Sequence, residues 1–444
     1  MSEAVSDDRA PDAVAPSADG AAACVLHPWL KTARLSHAGR SPSARLEEAV
    51  GLARAIDVRV ALAMEVPLAA YRPATLIGSG KLAQIGERIA DSEIGLIIVD
   101  ADLTPVQQRN LERFFKTKVI DRTGLILEIF GARARTKEGE LQVELAHLTY
   151  QRSRLVRSWT HLERQRGGFG FLGGPGETQI EADRRAISDR IAQLRRQLEQ
   201  VRRTRGLHRA RRKKAPWPVV ALVGYTNAGK STLFNRLTRA ETMAADMLFA
   251  TLDPTMRAID LSDGLKIILS DTVGFISDLP THLIAAFRAT LEEVTEADLI
   301  VHVRDAAHPD CAAQKADVIG VLEALGIADH ADGGVPVIEA MNKIDLLDAN
   351  ERAELEARAA RDPGLLAISA VTGDGLDSLA AEIRARLDMR THEERVTLRP
   401  EEGARIAWLY RHGAVLESRV LADGSTSLRV RLSEVDAARF HGIS

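Results

Sequence analysis

The stretch from Pro218 to Leu233, PVVALVGYTNAGKSTL, constrains the fold more than any other part of the sequence. It starts with an apolar, β-branched run typical of a buried strand, and helical periodicity begins at Lys230. Between them, GYTNAGKS matches the pattern G-x-x-x-x-G-K-[ST], in which a glycine-containing loop turns its N–H groups toward phosphate oxygens. The stretch therefore predicts a nucleotide site, and the alternative is a glycine-rich turn that matches by chance.

The side chains of this loop have distinct predicted roles. Lys230 places a positive charge beside the β- and γ-phosphates, and the Ser231 hydroxyl is a ligand for Mg²⁺. Gly224 and Gly229 allow the backbone to turn around the phosphates. The predicted phosphate contacts are Gly224, Tyr225, Thr226, Asn227, Ala228, Gly229, Lys230 and Ser231.

Four further motifs follow, three of them at the ends of apolar runs. Asp271 can hold Mg²⁺ through water, and the Gly274 N–H can meet the γ-phosphate. Thr251 can complete the Mg²⁺ shell, so Lys230, Thr251 and Gly274 are the candidate catalytic residues. The remaining predicted nucleotide contacts are Phe249, Ala250, Thr251, Leu252, Asp253, Asp271, Thr272, Val273, Gly274, Asn342, Lys343, Ile344, Asp345, Ser369, Ala370 and Val371.

Base choice is predicted from the NKID motif at Asn342 to Asp345. The Asp345 carboxylate can accept both donors on the guanine edge, whereas adenine would leave a carboxylate unpaired at a cost of about 1–3 kcal/mol or more. Ser369 to Val371 can close over the base through backbone contacts. Each motif is weak alone, but their order and spacing together predict Mg²⁺-dependent hydrolysis of GTP to GDP and phosphate.

Phe275 departs from the small signalling GTPases, in which a glutamine at this position orients the attacking water. A phenylalanine cannot do so, and we therefore expect either slow intrinsic hydrolysis or a water positioned by another group. In a subset of GTPases with a hydrophobic residue here, an asparagine at the position of Asn227 helps to bind K⁺. A hydrogen bond that stabilises the loop is the alternative role for Asn227.

Composition narrows the class of protein. No apolar run reaches the roughly 18 residues of a membrane helix, and residues 1–20 form an acidic leader that we expect to be disordered. Cys24 and Cys311 are too few and too far apart for a disulfide framework or a zinc site. A cytoplasmic location is the simplest inference.

Charge is strongly polarised along the chain. Residues 151–214 contain 18 Lys and Arg against 6 Asp and Glu, a balance of +12 in a chain whose net charge is −3. A local excess of this size predicts a polyanionic partner. The alternative is a solvated, arginine-rich helical face.

Two heptad patterns, Leu141 to Leu162 and Ile180 to Val201, predict long helices that fold back on each other across the glycine-rich stretch 167–176. Aromatic residues on that tip, with arginines beside it, suit stacking on bases and contact with phosphates. A protein-binding coiled coil is the alternative. The candidate RNA-binding residues are Arg154, Arg157, Arg164, Arg166, Phe169, Phe171, Arg184 and Arg185.

The predicted fold is α/β, a P-loop GTPase domain joined to an N-terminal α/β domain, an arginine-rich antiparallel helical hairpin and a small C-terminal α+β appendage. Short apolar runs and intervening helices place a strand at 24–26, a helix at 44–55, strands at 57–64 and 93–99, and a helix at 105–115. A basic linker is predicted at 209–214, and a helix with two strands at 401–432. The predicted boundaries are 1–20, 21–135, 136–214, 215–389 and 390–444.

These motifs together resemble the HflX family of ribosome-associated GTPases, of the translation-factor-related class. The resemblance extends over about residues 22–440 and includes GFGFLGGPGETQIEADRR at 168–185, FATLDPT at 249–255, DTVGFISDLP at 271–280 and IGSGK at 77–81. It implies binding to the large ribosomal subunit and its RNA, with a role in splitting or rescuing stalled or stressed ribosomes, or in ribosome biogenesis. Some members are described as hydrolysing ATP through the N-terminal domain. No adenine-specific residue is identifiable here, so that activity stays open.

Two other classes of protein remain as alternatives. One is a regulatory GTPase switch whose coiled coil binds a protein partner without RNA, and the hairpin charge argues against it. The other is a tRNA-modification GTPase, for which the chain lacks a catalytic cysteine or cofactor motif beside the nucleotide domain. We expect a monomer that does not insert stably into membranes.

Overall fold

The chain divides into two compact units, residues 1–37 with 41–128 and residues 38–40 with 129–444. Within the described ranges, no helix combines the length and apolar composition needed to cross a membrane. The computed structural model describes residues 22–33, 40–90, 92–163, 175–212, 217–239, 249, 255–261, 265–278, 293–327, 334–388, 391–412, 414–433, 437 and 440–442.

The first unit is a parallel α/β sheet with strand order β2-β1-β3-β4. Its core contains the apolar residues of β1 and β3, such as Leu26 and Ile97, which are fully buried. Helix α3 begins at a capping box in which Thr104 and Gln107 satisfy each other's backbone N–H groups. The elements are β1 (Ala22–Leu30), α1 (Pro42–Arg54), β2 (Arg59–Leu68), α2 (Ser79–Ala90), β3 (Ile94–Val99), α3 (Pro105–Phe115), β4 (Lys118–Asp121) and the first part of α4 (Arg122–Arg133), whose residues from Ile129 onward belong to the second unit.

A buried ionic cluster lies where β1, β3 and β4 approach their carboxyl ends. Arg122 donates to Asp100 and to Glu48, each at 2.5 Å, and Asp100 also lies 2.8 Å from Nδ1 of His27. Burial alone would raise the pKa of Asp100, but the Arg122 guanidinium and the bond to His27 outweigh it and hold that pKa well below its usual range. The Asp100 and Glu48 carboxylates both face the Arg122 guanidinium, so each buried charge has an opposite charge beside it.

The second unit contains two long helices, α5 (Lys137–Glu163) and α6 (Pro175–Arg212), which pack against each other. Ile191 and Leu194 of the predicted heptad pattern are buried. Residues 209–212, predicted as a linker, are instead the end of α6, because arginine is a good helix former and no glycine or proline stops the helix there. The predicted connection also ends earlier, since Pro175 and Gly176 belong to the first turn of α6.

The candidate RNA-binding residues are only partly described. Arg184 and Arg185 are exposed on α6. Arg154 is half-buried, with its guanidinium carbon 4.2 Å from the ring centroid of Tyr150 one turn earlier. Arg157 lies within α5, but its side chain, like all of Arg164, Arg166, Phe169 and Phe171, lies outside the described residues.

The nucleotide domain has a second, larger sheet with strand order β10-β9-β8-β5-β7-β6, in which only the β6–β7 pair is antiparallel. Central strands β5 and β8 are buried apolar runs, as expected when helices cover both faces. The described elements are β5 (Val219–Gly224), α7 (Lys230–Thr238), β6 (Thr255–Leu261), β7 (Leu265–Asp271), β8 (Leu299–Asp305), α8 (Cys311–Ala324), β9 (Val337–Asn342), α9 (Ala349–Ala359), β10 (Leu365–Ala367) and α10 (Leu376–Asp388).

The C-terminal part has one strand more than predicted. Strands β11 (Thr391–Leu398), β12 (Ala414–Val420) and β13 (Thr426–Ser433) form an antiparallel sheet of order β11-β13-β12, with α11 (Gly403–His412) before β12. Leu428, Val430 and Phe440 are buried in its core. β11 was not predicted because its sequence, THEERVTL, is charged over its first half, which is common on a strand at a sheet edge.

Candidate nucleotide site

The phosphate loop joins the end of β5 to the start of α7, and two of its glycines are required by close contacts. A Cβ atom on Gly224, whose φ is +152°, would lie 2.1 Å from the carbonyl oxygen of Val303. A Cβ atom on Gly229, at φ +93°, would lie 2.2 Å from Nδ2 of Asn342. Any larger residue would therefore force the loop away from β8 and β9.

Lys230 is buried beneath this loop. Its amine donates to the carbonyl oxygens of Tyr225 at 2.7 Å and Gly224 at 3.1 Å. A methyl group built on Gly274 would lie 3.2 Å from the same nitrogen, so Gly274 lies beside the amine. The fold thus brings together two of the three candidate catalytic residues, and the third, Thr251, lies outside the described residues with Ala250, Leu252 and Asp253.

Burial lowers the pKa of Lys230 to about 8, and the nearby Asp271 carboxylate offsets part of that shift. Between about pH 8 and the ordinary value of 10.5, the unfolded chain holds a proton on this amine that the folded chain has released, so the free protein gains stability as the pH rises through that window. Phosphate oxygens favour the charged amine, and binding in the same window must therefore take up a proton.

We expect the affinity for GTP to fall as the pH rises above about 8, approaching a tenfold loss per pH unit, because one proton must be taken up on binding. Titration calorimetry between about pH 7 and pH 9, in two buffers of different ionisation enthalpy, measures both the affinity and the proton uptake. A dissociation constant that stays flat across this range, with no buffer dependence of the enthalpy, would show that Lys230 remains charged in the free protein.

Ser231 and Asp271 offer oxygen ligands suited to Mg²⁺. The Ser231 hydroxyl donates to Oδ2 of Asp271 at 2.7 Å, which brings a hydroxyl and a carboxylate together at the end of β7. Mg²⁺ is commonly held by one or two such groups plus water and phosphate oxygens, and the described ranges contain no cluster of three or more His, Cys, Asp or Glu that could hold a metal alone. The residues fit the ion, which would neutralise charge on the phosphates.

The Phe275 side chain is buried, with 1% of its surface exposed, and the Phe275 backbone forms hydrogen bonds with the phosphate loop. The Thr226 N–H donates to the Phe275 carbonyl at 2.7 Å, and the Phe275 N–H donates to the Gly224 carbonyl at 3.1 Å. Thr272, two residues before Gly274, is also buried, and its hydroxyl donates to the Leu222 carbonyl at 2.6 Å. The Phe275 side chain is therefore part of the core, and its backbone is paired with the phosphate loop.

Asn342 connects the phosphate loop to the predicted base-closing segment. Its amide donates to the Ala228 carbonyl at 2.8 Å, and its side-chain oxygen accepts from the Ala370 N–H at 2.9 Å. Asp345 is exposed, and one of its oxygens accepts from the buried Ser369 hydroxyl at 2.5 Å. Val371 is 66% exposed beyond them. The carboxylate is therefore oriented by a neighbour and open to a base that approaches from solvent.

The sequence patterns did not identify two charged residues of this region. Asp305 ends β8 and lies 2.7 Å from the Lys343 amine, which fixes the NKID loop. A polar residue at the end of a buried strand was the signal that identified Asp271, and it could have identified Asp305 too. Arg40 contacts Tyr225 of the phosphate loop from 185 positions away, and no local pattern marks it.

Phe249, the one described residue of the predicted nucleotide contacts at 249–253, is held by a ring contact. Its ring centroid lies 4.9 Å from that of Phe130 in α4, in an edge-to-face arrangement, and both side chains are buried. Its φ of +55° is rare for a bulky residue. The packing therefore overcomes an unfavourable backbone conformation, at a cost of order 1–3 kcal/mol.

Models of known protein families match four stretches of the chain between residues 43 and 441. Four family models match: "GTP-binding GTPase N-terminal" over residues 43–131, "GTP-binding GTPase Middle Region" over 133–212, "50S ribosome-binding GTPase" over 219–343 and "HflX C-terminal domain" over 354–441. A solved GTP-binding protein from Sulfolobus solfataricus, in complex with GDP, is 25% identical at a TM-score of 0.44 and covers 82% of this chain and 98% of that chain.

Curated relatives match over most of their own length. The GTPase HflX of Magnetococcus marinus is 50% identical over 89% of this chain and 90% of the relative. The GTPase HflX of Escherichia coli is 46% identical over 83% of this chain and 85% of the relative. The predicted family, the α/β P-loop GTPase fold and the hydrolysis of GTP are confirmed, and the chain belongs to the HflX family of GTPases.

Proposed function

We propose that this GTPase, in its GTP-bound form, binds the large ribosomal subunit through the helical pair α5 and α6 and splits stalled or stressed ribosomes. The observation that carries the proposal is the balance of +12 over residues 151–214 in a chain of net charge −3. Ribosomal RNA is the polyanion that this charge would meet. We further propose that the protein acts in the cytoplasm as a monomer.

The described part of α6 carries exposed arginines, which can contact the phosphates of RNA. Its arginines at positions 184, 185, 195, 196 and 203 are exposed, and Arg203 has an acidic partner, Glu199, one turn away. Guanidinium groups bind phosphate with two parallel N–H donors, and the contacts weaken with salt because bound counterions are released. A bundle that only packed internally would not need this excess of one charge.

We propose that GTP and Mg²⁺ control the helical pair through the segment that contains Phe249 and Thr251. Ser231 and Asp271 would hold the ion at the phosphates, with Thr251 completing its shell when the γ-phosphate is present. Phe249, two residues away, packs on Phe130 of α4. Only three residues separate the end of α4 from the start of α5, so the contact lies close to the base of the helical pair.

Asn227 is the residue that we assign to a potassium ion. Its side chain is exposed at the loop, and its φ of +60° is one that asparagine tolerates better than most residues. Because Phe275 cannot position water, we propose that the ion and the bound ribosome supply what the missing glutamine would. Equal rates of hydrolysis in KCl and NaCl would remove potassium from this proposal.

The proposal is tested by sedimentation with purified ribosomal subunits, with a non-hydrolysable GTP analogue compared with GDP. We expect binding to the large subunit with the analogue and little with GDP. Arg184→Glu with Arg185→Glu should weaken binding by at least about tenfold and lower the slope of log affinity against log salt by about two, because two phosphate contacts are lost. Affinity for GTP should not change.

The matched control reverses the same amount of charge elsewhere. Arg358, in the last turn of α9, and Arg361, two residues beyond it, are both exposed, and the double change to glutamate alters net charge equally. It should leave subunit binding near that of the unmodified chain. Equal losses of subunit binding in the two variants would indicate a non-specific effect of charge. Full subunit binding by the Arg184/Arg185 variant would indicate that α6 does not contact RNA at these residues.

A further inference from the structure

Arg40, which precedes α1 in the sequence, is buried against residues of the nucleotide domain. Arg40 belongs to the second compact unit, and its side chain is only 2% exposed. One guanidinium nitrogen donates to the Tyr225 hydroxyl at 3.0 Å, and the other lies 2.6 Å from Oδ2 of Asp317 in α8. Its guanidinium carbon also lies 5.1 Å from the Tyr225 ring centroid. None of the four matched family models includes residue 40.

Tyr225 also contacts the segment that follows Gly274. Its hydroxyl oxygen accepts from the Ser277 N–H at 2.7 Å, so one phenol oxygen receives hydrogen bonds from Arg40 and from that segment. The Tyr225 carbonyl accepts from the Lys230 amine. One residue of the phosphate loop thus contacts Arg40, the catalytic lysine and the Gly274 segment.

The Ser277 bond extends a short ladder between the two segments. Backbone bonds already join Phe275 to Thr226 and to Gly224 on either side of Tyr225. The Tyr225 hydroxyl adds a third bond two residues further along, at Ser277. Gly274, the residue predicted to meet the γ-phosphate, directly precedes this ladder, and its position beside Lys230 therefore depends on how firmly the ladder is held.

We infer that Arg40 is a positioning residue for GTP hydrolysis, which fixes Tyr225 so that its hydroxyl holds the Ser277 segment and Gly274 at the phosphates. Asp317 fixes Arg40 in turn and pairs its buried charge, which would otherwise be strongly destabilising. A displacement of about 1 Å in a catalytic group can cost up to about a hundredfold in rate, whereas the loop contacts that bind nucleotide are retained without Arg40. The effect should therefore fall on kcat.

The test uses the full-length chain with Arg40→Ala, Tyr225→Phe and the double variant. We expect each single variant to lower kcat by about tenfold or more while the dissociation constant for GDP changes by less than about threefold. Since the two side chains act in one chain of contacts, the double variant should be no slower than the slower single variant. Arg40→Lys keeps the charge beside Asp317 but lacks the planar fork whose two nitrogens reach Asp317 and the Tyr225 hydroxyl, so it should not fully restore the rate.

Arg304→Ala is the control for a purely structural loss. Arg304 is also a partly buried arginine of the nucleotide domain, and its guanidinium bonds to Glu339, at 2.6 Å, and to the Cys311 carbonyl, neither of which is a predicted nucleotide contact. It should lower the thermal unfolding midpoint and leave kcat unchanged. If Tyr225→Phe hydrolyses GTP at the unmodified rate, or if Arg40→Ala resembles Arg304→Ala in both measurements, the inference is overturned. Tyr225→Phe keeps the ring, so the test stands even if Arg40→Ala does not fold.

Discussion

Lys230→Ala should abolish tight nucleotide binding, with a loss of at least about a thousandfold in affinity for both GTP and GDP. The amine is buried among loop carbonyls, where two charge-assisted hydrogen bonds to phosphate oxygens would together contribute about 4 kcal/mol. Fluorescence titration with a labelled guanine nucleotide measures the loss. Burial already disfavours the charge in the free protein, so the variant should fold without nucleotide at least as stably as the unmodified chain.

The matched control is Lys266→Ala, which removes the same charge from the same domain. Lys266 lies on β7 with its amine 5.6 Å from the Trp217 ring centroid and its side chain about half exposed. It should bind nucleotide normally. A Lys230→Ala protein that is folded, by its unfolding midpoint, and still binds GDP within about tenfold of the unmodified chain would exclude the phosphate role of this lysine.

Asp345→Asn should reverse the base preference of the site. We expect the affinity for GTP to fall by about a hundredfold and xanthosine triphosphate to become the preferred ligand. The carboxylate accepts two donors from guanine, and the amide can instead donate to the 2-oxo group of xanthine. The Ser369 hydroxyl, which holds Oδ1 of Asp345 at 2.5 Å, can still orient an amide oxygen. Competition of the two triphosphates against labelled GDP measures the ratio of affinities.

Glu354→Gln provides the comparison for this change, since it also converts an exposed carboxylate of the domain to an amide, on α9. Its ratio of GTP to xanthosine triphosphate affinity should equal that of the unmodified chain. If Asp345→Asn left the ratio unchanged as well, another group would have to recognise the base. The phosphate assignments would be unaffected, because Lys230 and Ser231 act at the other end of the nucleotide.

The sequence predicted the phosphate loop well because its determinants are local. The spacing of Gly224, Gly229 and Lys230 reflects contacts made within a few residues and with adjacent strands, and the apolar runs fix where those strands end. The same reasoning located Asp271 and Asn342 at strand ends. Pairs such as Ser231 with Asp271 then follow from the parallel sheet, which gathers its carboxyl ends at one edge.

Long-range contacts were not predictable in the same way. Arg40 lies in no periodic segment, and its burial depends on Asp317, which is 277 positions away. The motif that contains Phe249 gave no sign that its ring packs on Phe130. β11 was missed because a charged edge strand resembles a loop when its partner, β13, is not yet known. In each case a contact with a distant part of the chain determined the structure, and the local sequence favoured no particular conformation.

The length of α6 has a mechanical consequence. Its 38 residues make a rod about 57 Å long, and α5, with 27 residues, runs beside it for about 40 Å. Such a rod acts as a lever, because a rotation of about 5° at the Arg212 end would displace the Pro175 end by about 5 Å, nearly one helical turn. Shifts too small to alter the packing of the nucleotide domain would therefore be magnified severalfold at the far end of the hairpin.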